Sequence, residues 1–183
     1  MGVTQIPETT SDEEIMNLHS HGVRGVRFNL NRGGSAGSED LLTIANRIYN
    51  LVGWHVELYL GPKSLHELKN IIPALPKVCI DHLGVSDSNF ELLLNLIRSG
   101  LTIKATGFGR VDLDVEKAIK QIHNLSPKTL MFGTDLPSTR ARRKYADNDF
   151  LKIIKFLGQK EAQKVFSSNA LNFYGVENSF TDK

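Results

Sequence analysis

Residues 23–60 read VRGVRFNLNRGGSAGSEDLLTIANRIYNLVGWHVELYL, and this stretch decides the fold class. It begins with a β-rich apolar run at 23–30, continues into a helical segment at 40–52, and ends with a second β-rich run at 55–60. The helical segment places Leu41, Ile44, Ile48 and Leu51 at the spacing of one helix face. A strand, a helix and a second strand in this order predict a β-α-β unit with parallel strands.

The same alternation runs through the rest of the chain. Predicted strands lie at 2–6, 23–30, 55–60, 77–81, 101–105 and 129–133. The first predicted helix begins at Ser11, which forms a capping-box pattern with Glu14, and further helices are predicted at 40–52, 65–72, 87–98, 115–123, 150–157 and 161–166. No linker or composition break divides the chain, so residues 1–183 are expected to form a single α/β domain.

The number of units predicts an incomplete barrel. A (β/α)₈ barrel usually needs about 250 residues, whereas these 183 residues carry six strands. We therefore expect a parallel (β/α) TIM barrel that lacks two of its eight units, with open sheet edges at 2–6 and 129–133. Open edges recruit other chains, which predicts either a homo-oligomer or a companion chain that completes the barrel.

The composition of the chain limits the classes of partner that it is expected to bind. The chain has 22 Lys and Arg residues against 20 Asp and Glu residues, a net charge of +2, which is not the bulk charge of a nucleic-acid binder. No apolar run approaches the roughly 18 residues of a membrane span, and the N-terminus lacks a signal-peptide pattern. Cys79 is the single cysteine, so no intrachain disulfide can form. These features predict a cytoplasmic protein that binds neither nucleic acid nor membrane.

Polar side chains gather where the predicted strands end. Barrel side chains alternate between the helix layer and the interior, so Arg27 and Asn29 are expected to face inward on one strand and Glu57 and Tyr59 on the next. The residues expected to converge at the carboxyl ends of the strands are Arg27, Asn29, Tyr59, His82, Lys104 and Asp135. Barrel active sites are built at this face, and burying so many polar groups costs several kcal/mol unless they are paired.

A structural role is the alternative for each of these residues. Arg27 could instead form a buried ion pair, with Glu57 as the expected partner. Tyr59 and Lys104 could simply fill the barrel interior, and Asp135 could cap the turn before Pro137.

Three other patterns are expected to carry no chemistry. His19-Ser20-His21 has metal-ligand spacing but lies at a helix end on the opposite side of the barrel. The segment Gly107-Phe108-Gly109 follows a strand as a dinucleotide-binding loop would, but the third glycine of such a loop is missing. The basic residues Arg140, Arg142, Arg143 and Lys144 are expected to be a solvated loop rather than an anion site.

Five segments together resemble the amidohydrolase-related family of TIM-barrel, metal-dependent hydrolases, and in particular its 2-pyrone-4,6-dicarboxylate lactonase-like branch. They are GVRGVRFNL, KVCIDHLG, LTIKATGFGR, LMFGTDLP and the closing NALNFYG, and the resemblance covers residues 2–175. It implies a hydrolase that acts on a small carboxylated cyclic ester or amide by water attack.

The resemblance also implies roles for individual residues. His82 of the DHLG segment corresponds to a metal ligand or catalytic partner, and Asp135 of the GTDLP segment to a general base or metal ligand. Arg27 of VRFN resembles a residue that binds the substrate carboxylate. Tyr59 matches a substrate-binding tyrosine, and Arg110 and Arg32 are candidates for holding further carboxylates.

One departure from the family limits these expectations. The family's first strand carries an Asp-x-His-x-His motif, and no such motif occupies a strand here, so the chain is expected to begin at the family's third strand. His82 and Asp135 supply two of the three protein ligands that catalytic zinc prefers, which predicts weak or absent metal binding. A zinc-dependent decarboxylase and a non-catalytic, self-associating remnant are therefore the alternative functions.

Overall fold

The computed structural model describes residues 1–31 and 37–176. Within them six strands form one sheet in the order β1-β2-β3-β4-β5-β6, and every neighbouring pair is parallel. The strands are β1 (Gly2–Thr4), β2 (Val23–Asn29), β3 (His55–Tyr59), β4 (Val78–Ile80), β5 (Thr102–Ala105) and β6 (Leu130–Phe132). This arrangement confirms the predicted partial (β/α) barrel, with β1 and β6 as the terminal strands of the described sheet.

Helices connect the strands, and three of them close the described chain. They are α1 (Asp12–Ser20), α2 (Leu41–Val52), α3 (Pro62–Glu67), α4 (Phe90–Arg98), α5 (Val115–Leu125), α6 (Asp147–Leu157), α7 (Gln159–Gln163) and α8 (Asn169–Tyr174), with a π-helical turn at Lys164–Ser168 between the last two. The predicted cap of α1 is present, because the Ser11 hydroxyl accepts a hydrogen bond from the Glu14 amide at 3.1 Å.

Several predicted boundaries are wrong, among them the start of α6, which is Asp147 rather than residue 150. β1 ends at Thr4 rather than at residue 6. The helix predicted at 65–72 begins earlier, because Pro62 occupies its first turn, where the missing N–H of proline costs nothing, and it ends at Glu67. A separate 3₁₀ turn at Ile72–Ala74 leads into β4.

The hydrophobic core lies between the sheet and the helices. Val26 and Phe28 on β2, Leu58 on β3 and Ile80 on β4 point outward and are 0–1% exposed. They pack with the helix residues predicted from periodicity, such as Ile44 and Ile48 of α2. The residues between these outward positions therefore face the concave side of the sheet, as alternation requires.

The C-terminal helix α8 covers part of this concave side at the amino ends of the strands. The rings of Phe173 and Tyr174 each meet the ring of His55 edge-on, at 5.1 and 5.2 Å between centroids. At the start of α8, the Asn169 amide donates to the main-chain carbonyl of Leu130 at 2.8 Å. The covering helix explains why His55 is only 1% exposed in an open sheet.

The His19-Ser20-His21 sequence has the structural role that was predicted. His19 Nδ1 accepts a hydrogen bond from Trp54 Nε1 at 3.1 Å, and His21 Nδ1 lies 2.8 Å from the Asn17 carbonyl at the end of α1. Neither ring lies near the carboxyl ends of the strands. Among the described residues, no helix is both long and apolar enough to cross a membrane.

Candidate active site

A cavity of about 330 Å³ opens at the carboxyl ends of the strands. Its lining includes six of the seven residues singled out from sequence: Arg27, Asn29, Tyr59, His82, Arg110 and Asp135. The rest of its wall is residues 136–140, which follow β6. The predicted convergence of these side chains on one mouth of the curved sheet is thus present in the structure.

His82 and Asp135 approach each other across the floor of the cavity. His82 Nε2 lies 4.0 Å from Asp135 Oδ1, and the other ring nitrogen of His82 is hydrogen-bonded to the Thr106 hydroxyl at 2.8 Å. Burial lowers the pKa of His82 below its usual value, although the negative charges of Asp81 and Asp135 oppose this effect. His82 therefore lies neutral beside the carboxylate at pH 7.

The backbone is constrained at both of these positions. His82 and Asp135 have φ angles of 54° and 59°, in the left-handed region that residues with a side chain rarely adopt. Gly107, at φ 59°, packs directly against His82, where an added Cβ would lie 2.6 Å from Nδ1. Such conformations persist only where the surrounding structure enforces them, and they cluster at functional sites.

Arg110 holds the carboxylate of Asp135 from the other side. Arg110 Nε donates to Asp135 Oδ2 at 2.5 Å, and its Nη2 donates to the Thr139 carbonyl at 2.9 Å. One oxygen of Asp135 is thereby held by a guanidinium, while the other faces His82. The carboxylate is fixed in direction and stays available on one side to accept a proton.

Arg27 pairs with a residue that the sequence reasoning missed. Its Nη2 lies 2.7 Å from Asp81 Oδ2, so the expected partner Glu57 is wrong. The guanidinium also lies over the ring of Tyr59, 5.3 Å from its centroid, and the Tyr59 ring meets His82 edge-on at 5.1 Å. Asp81 could have been found from alternation, because Ile80 before it faces the helices and Asp81 must then face inward.

Lys104 is the one candidate that does not line the cavity. It lies deeper on the concave face, bonded to Glu57 and 3.6 Å from Asp81 Oδ1. Burial works to raise the pKa of Glu57, but His55 and Lys104 lower it to about 2. Burial works to lower the pKa of Lys104, but the carboxylates of Glu57 and Asp81 raise it. Lys104 thus belongs to a buried network of alternating charge beneath the site.

Two groups of side chains were tested for their fit to a metal ion. At the mouth, His82 and Asp135 are the ligands that the described residues offer, and Arg110 already holds the second carboxylate oxygen. Deeper in the sheet, ligand atoms of His55, Glu57 and Cys79 lie within 4.8 Å of one another. There, however, the ammonium of Lys104 is bonded to Glu57, and burial raises the pKa of Cys79, which keeps it a thiol.

The mouth offers two ligands rather than the three of catalytic zinc, and the buried group offers three but is blocked by Lys104 and by the protonated thiol. The buried group would bind a metal only after Lys104 left Glu57 and Cys79 lost its proton.

The basic loop after β6 is solvated but also contacts the rest of the chain. Arg140 is one of the residues that line the cavity. Arg143 instead forms two hydrogen bonds of 2.8 Å with the buried carboxylate of Asp149. The side chain of Arg143 stays 45% exposed, so it is solvated as predicted and also holds this buried partner. Arg32, a candidate from the resemblance, lies outside the described residues.

Comparison with known proteins agrees with this geometry. The chain is 29% identical to a 2-pyrone-4,6-dicarbaxylate hydrolase of Comamonas testosteroni, over 96% of the chain and 67% of that protein. It is 25% identical to a 4-sulfomuconolactone hydrolase of Rhizobium radiobacter, over 96% of the chain and 66% of that protein. The chain thus spans about two thirds of the length of these relatives.

Solved structures share the fold. An apo crystal structure of an Agrobacterium tumefaciens protein matches with a TM-score of 0.81 at 19% identity, covering 96% of this chain and 70% of that one. A β-aspartyl dipeptidase from Fervidobacterium islandicum matches with a TM-score of 0.63 at 19% identity, covering 93% of this chain and 53% of that one. A family model described as amidohydrolase matches residues 1–176. The chain therefore belongs to the amidohydrolase family.

Proposed function

We propose that this chain hydrolyses a small cyclic ester, or lactone, that carries at least one carboxylate. The observation that carries the proposal is the placement of Asp135 Oδ1 4.0 Å from His82 Nε2, in a cavity that also presents Arg27 and Arg110. The relatives named above are hydrolases of a dicarboxylate pyrone and of a muconolactone, which supports this substrate class.

Asp135 acts as the general base in this proposal. Its free oxygen takes a proton from a water molecule as the water oxygen attacks the ester carbonyl carbon. The ring C–O bond then breaks, and the leaving oxygen takes the proton back from Asp135, so the product is the ring-opened acid. Arg110 keeps the carboxylate of Asp135 in one orientation throughout, because its Nε remains hydrogen-bonded to Oδ2, the oxygen that does not react.

His82 and Arg27 bind the substrate in this proposal. Neutral His82, hydrogen-bonded to Thr106, points Nε2 toward the reacting water and the carbonyl oxygen. Arg27 presents the part of its guanidinium that Asp81 does not occupy, and a guanidinium is the side chain best suited to a carboxylate. The cavity volume of about 330 Å³ suits a single-ring substrate.

A matched substrate series tests the proposal. We expect the chain to open the ring of a carboxylated lactone. The reaction is measured as the loss of the lactone's ultraviolet absorbance or as the release of one proton. The methyl ester of the same lactone should react at least about tenfold more slowly, since a guanidinium–carboxylate contact contributes about 1.4 kcal/mol or more. Equal rates for the acid and its ester, or no turnover of any lactone, would contradict the proposal.

A second candidate is a non-catalytic chain that self-associates or joins a companion through its sheet edges. It is supported by β1 and β6, which end the described sheet. Asn169 already satisfies the Leu130 carbonyl at β6, which leaves less of that edge to pair. Light scattering across a dilution series tests the self-association: a concentration-independent monomer would exclude it. The zinc-dependent decarboxylase is less well supported, because the described side chains fit zinc poorly.

A further inference from the structure

We propose that Asp149 is a positioning residue: through Arg143, it holds the loop after β6 against the loop after β5 and so keeps Asp135 in contact with Arg110 and His82. The loop after β5 is residues 106–114, and the loop after β6 is residues 133–146. The inference rests on the proposed function for its kinetic test, but not for its structural test.

Asp149 lies in the first turn of α6 and is unusual there because its side chain is buried. Its exposed fraction is 3%, whereas the first turns of helices are normally open to solvent. Its two oxygens accept hydrogen bonds from Nη1 and Nη2 of Arg143, both at 2.8 Å. The amide of Ala146 donates to the same carboxylate at 3.3 Å. Two residues of the β6 loop are therefore tied to one carboxylate on α6.

This tie continues to the active site through Ser138. The Tyr145 amide donates to the Ser138 hydroxyl at 3.2 Å, and that hydroxyl donates to the main-chain carbonyl of Asp135 at 3.0 Å. Ser138 has a φ of 58° and is 3% exposed, so the loop is folded tightly onto itself. The path from Asp149 to Asp135 thus consists of hydrogen bonds and the peptide bond between Tyr145 and Ala146.

The second loop is held by the same segment. The Arg143 carbonyl oxygen presses against Gly109, where an added Cβ would lie 1.9 Å away. The space left between the two loops is about 10 Å³, room for a single water molecule at most. Gly109 precedes Arg110, whose Nη2 donates to Thr139 of the β6 loop. Movement of Arg143 would therefore change the position of both Arg110 and Asp135.

The pKa shifts of Asp149 and Arg143 are those expected of a hydrogen-bonded ion pair. Burial works to raise the pKa of Asp149, but hydrogen bonds from Arg143 and the Ala146 amide lower it below its usual value. The hydrogen bond to Asp149 raises the pKa of Arg143. The left-handed backbone at Asp135, Ser138 and Arg140 needs such an enforcing contact, because each of these conformations is costly.

The kinetic experiment compares four variants on a carboxylated lactone. We expect Asp149→Asn and Arg143→Met to lower kcat/KM at least about tenfold, and Arg143→Lys to lower it less, because lysine keeps the charge and one donor. Glu161→Gln is the matched control: it removes the ion pairs of Glu161 with Lys164 at 2.8 Å and with His123 at 3.4 Å, away from both loops, and should change kcat/KM less than about twofold.

A double-mutant cycle tests whether Asp149 acts through Arg110. In an Arg110→Lys background, Asp149→Asn should cause a further loss of less than about threefold, because the contact that Asp149 supports is already weakened. Fully additive losses, or an equal loss in Glu161→Gln, would overturn the inference.

Amide hydrogen exchange provides a readout that needs no substrate. Asp149→Asn should speed exchange in 107–110 and 134–146 while leaving α2 and α4 unchanged. If the wild-type chain turns over no lactone, the proposed function fails, and selective loss of protection in these loops still supports the positioning role. Uniform loss of protection, or none, overturns it. If Asp149→Asn does not fold, Arg143→Lys is measured in its place with the same expected pattern.

Discussion

His82 Nε2 lies 4.0 Å from Asp135 Oδ1, and both residues reach this position from left-handed backbone after β4 and β6, the two strands that flank β5. The turn after β4 directs the imidazole into the cavity, and the turn after β6 directs the carboxylate toward it. A carboxylate fixed by Arg110 on one oxygen and open on the other is suited to accept a proton from water. The first prediction follows from this geometry.

Asp135→Asn should remove the proposed base while keeping the shape of the side chain. We expect kcat for lactone hydrolysis to fall about 10²–10⁴-fold, the usual contribution of general-base catalysis. The measurement is steady-state kinetics, with Glu116→Gln on the exposed face of α5 as the control that changes charge equally. Retention of wild-type kcat in Asp135→Asn would show that another group takes the proton.

Arg27→Lys should affect substrate binding more than chemistry. Lysine keeps the charge but loses the fork that contacts Asp81 and a substrate carboxylate together. We expect KM for the carboxylated lactone to rise about tenfold, equivalent to about 1.4 kcal/mol, with a smaller change in kcat. The methyl ester of the lactone serves as the control, because its KM should hardly change. Equal KM increases for acid and ester would exclude a carboxylate contact.

His82 should titrate below the usual range of a histidine. Because burial lowers its pKa, the ring should stay neutral as the pH falls past 6.5 and become protonated only at lower pH. The neutral form is favoured in the folded state, so the stability that His82 contributes is present above pH 6.5 and is lost as the pH falls through its folded pKa. Nuclear magnetic resonance of the imidazole carbons measures this directly. A pKa for His82 at or above 6.5 would contradict the prediction.

Glu57 should make folding sensitive to acid. Its pKa is about 2 in the folded chain against 4.5 ordinarily, so its stabilisation is present above pH 4.5 and is lost as the pH falls toward 2. The shift corresponds to about 3 kcal/mol of unfolding free energy. Denaturant melts between pH 2 and 7 measure it.

A matched pair of variants separates this charge effect from packing. Glu57→Gln should destabilise the chain by up to about 3–5 kcal/mol, because it leaves the buried Lys104 with only its longer contact to Asp81. The double variant Glu57→Gln/Lys104→Met should recover most of that loss, since removing both partners of a buried pair is often close to neutral. A double variant no more stable than the single one would show that the two residues do not act as a pair.

Metal removal should leave hydrolysis unchanged. We expect elemental analysis to give less than about 0.1 zinc per chain, and kcat to survive treatment with a chelator, because the mouth offers two ligands and Lys104 and the Cys79 proton block the buried three-ligand group. Lys104→Met provides the contrast: freeing Glu57 from the ammonium should increase cobalt or zinc binding by His55, Glu57 and Cys79. Stoichiometric zinc in the wild-type chain would contradict the prediction.

Much of the fold could be predicted from sequence because its signals are local. The strand at 23–30 alternates outward Val26 and Phe28 with inward Arg27 and Asn29, and the helix at 40–52 repeats its apolar residues at helical spacing. Boundaries were less certain where a local signal competed with packing, as at Pro62, which begins α3 three residues before the predicted start.

The ion-pair partners of the site residues could not be predicted from local sequence in this way. The sheet's register places Arg27 opposite Glu57 on the adjacent strand, yet its guanidinium pairs with Asp81 at the end of β4, while Glu57 is bonded to Lys104. The role of Asp149 was likewise hidden, because nothing in the sequence near it indicates that Arg143 folds back onto it.

By itself, then, the sequence determined the parallel β/α architecture and which side chains face the carboxyl ends of the strands, because alternation and helical spacing depend on near neighbours along the chain. Only the tertiary structure decided that Lys104 lies beneath the cavity rather than in it, that Arg110 holds Asp135, and that Asp149 secures the loop that carries Asp135. These pairings join residues from separate strands and loops, and their distances are set by the packing of the whole sheet rather than by any local stretch of chain.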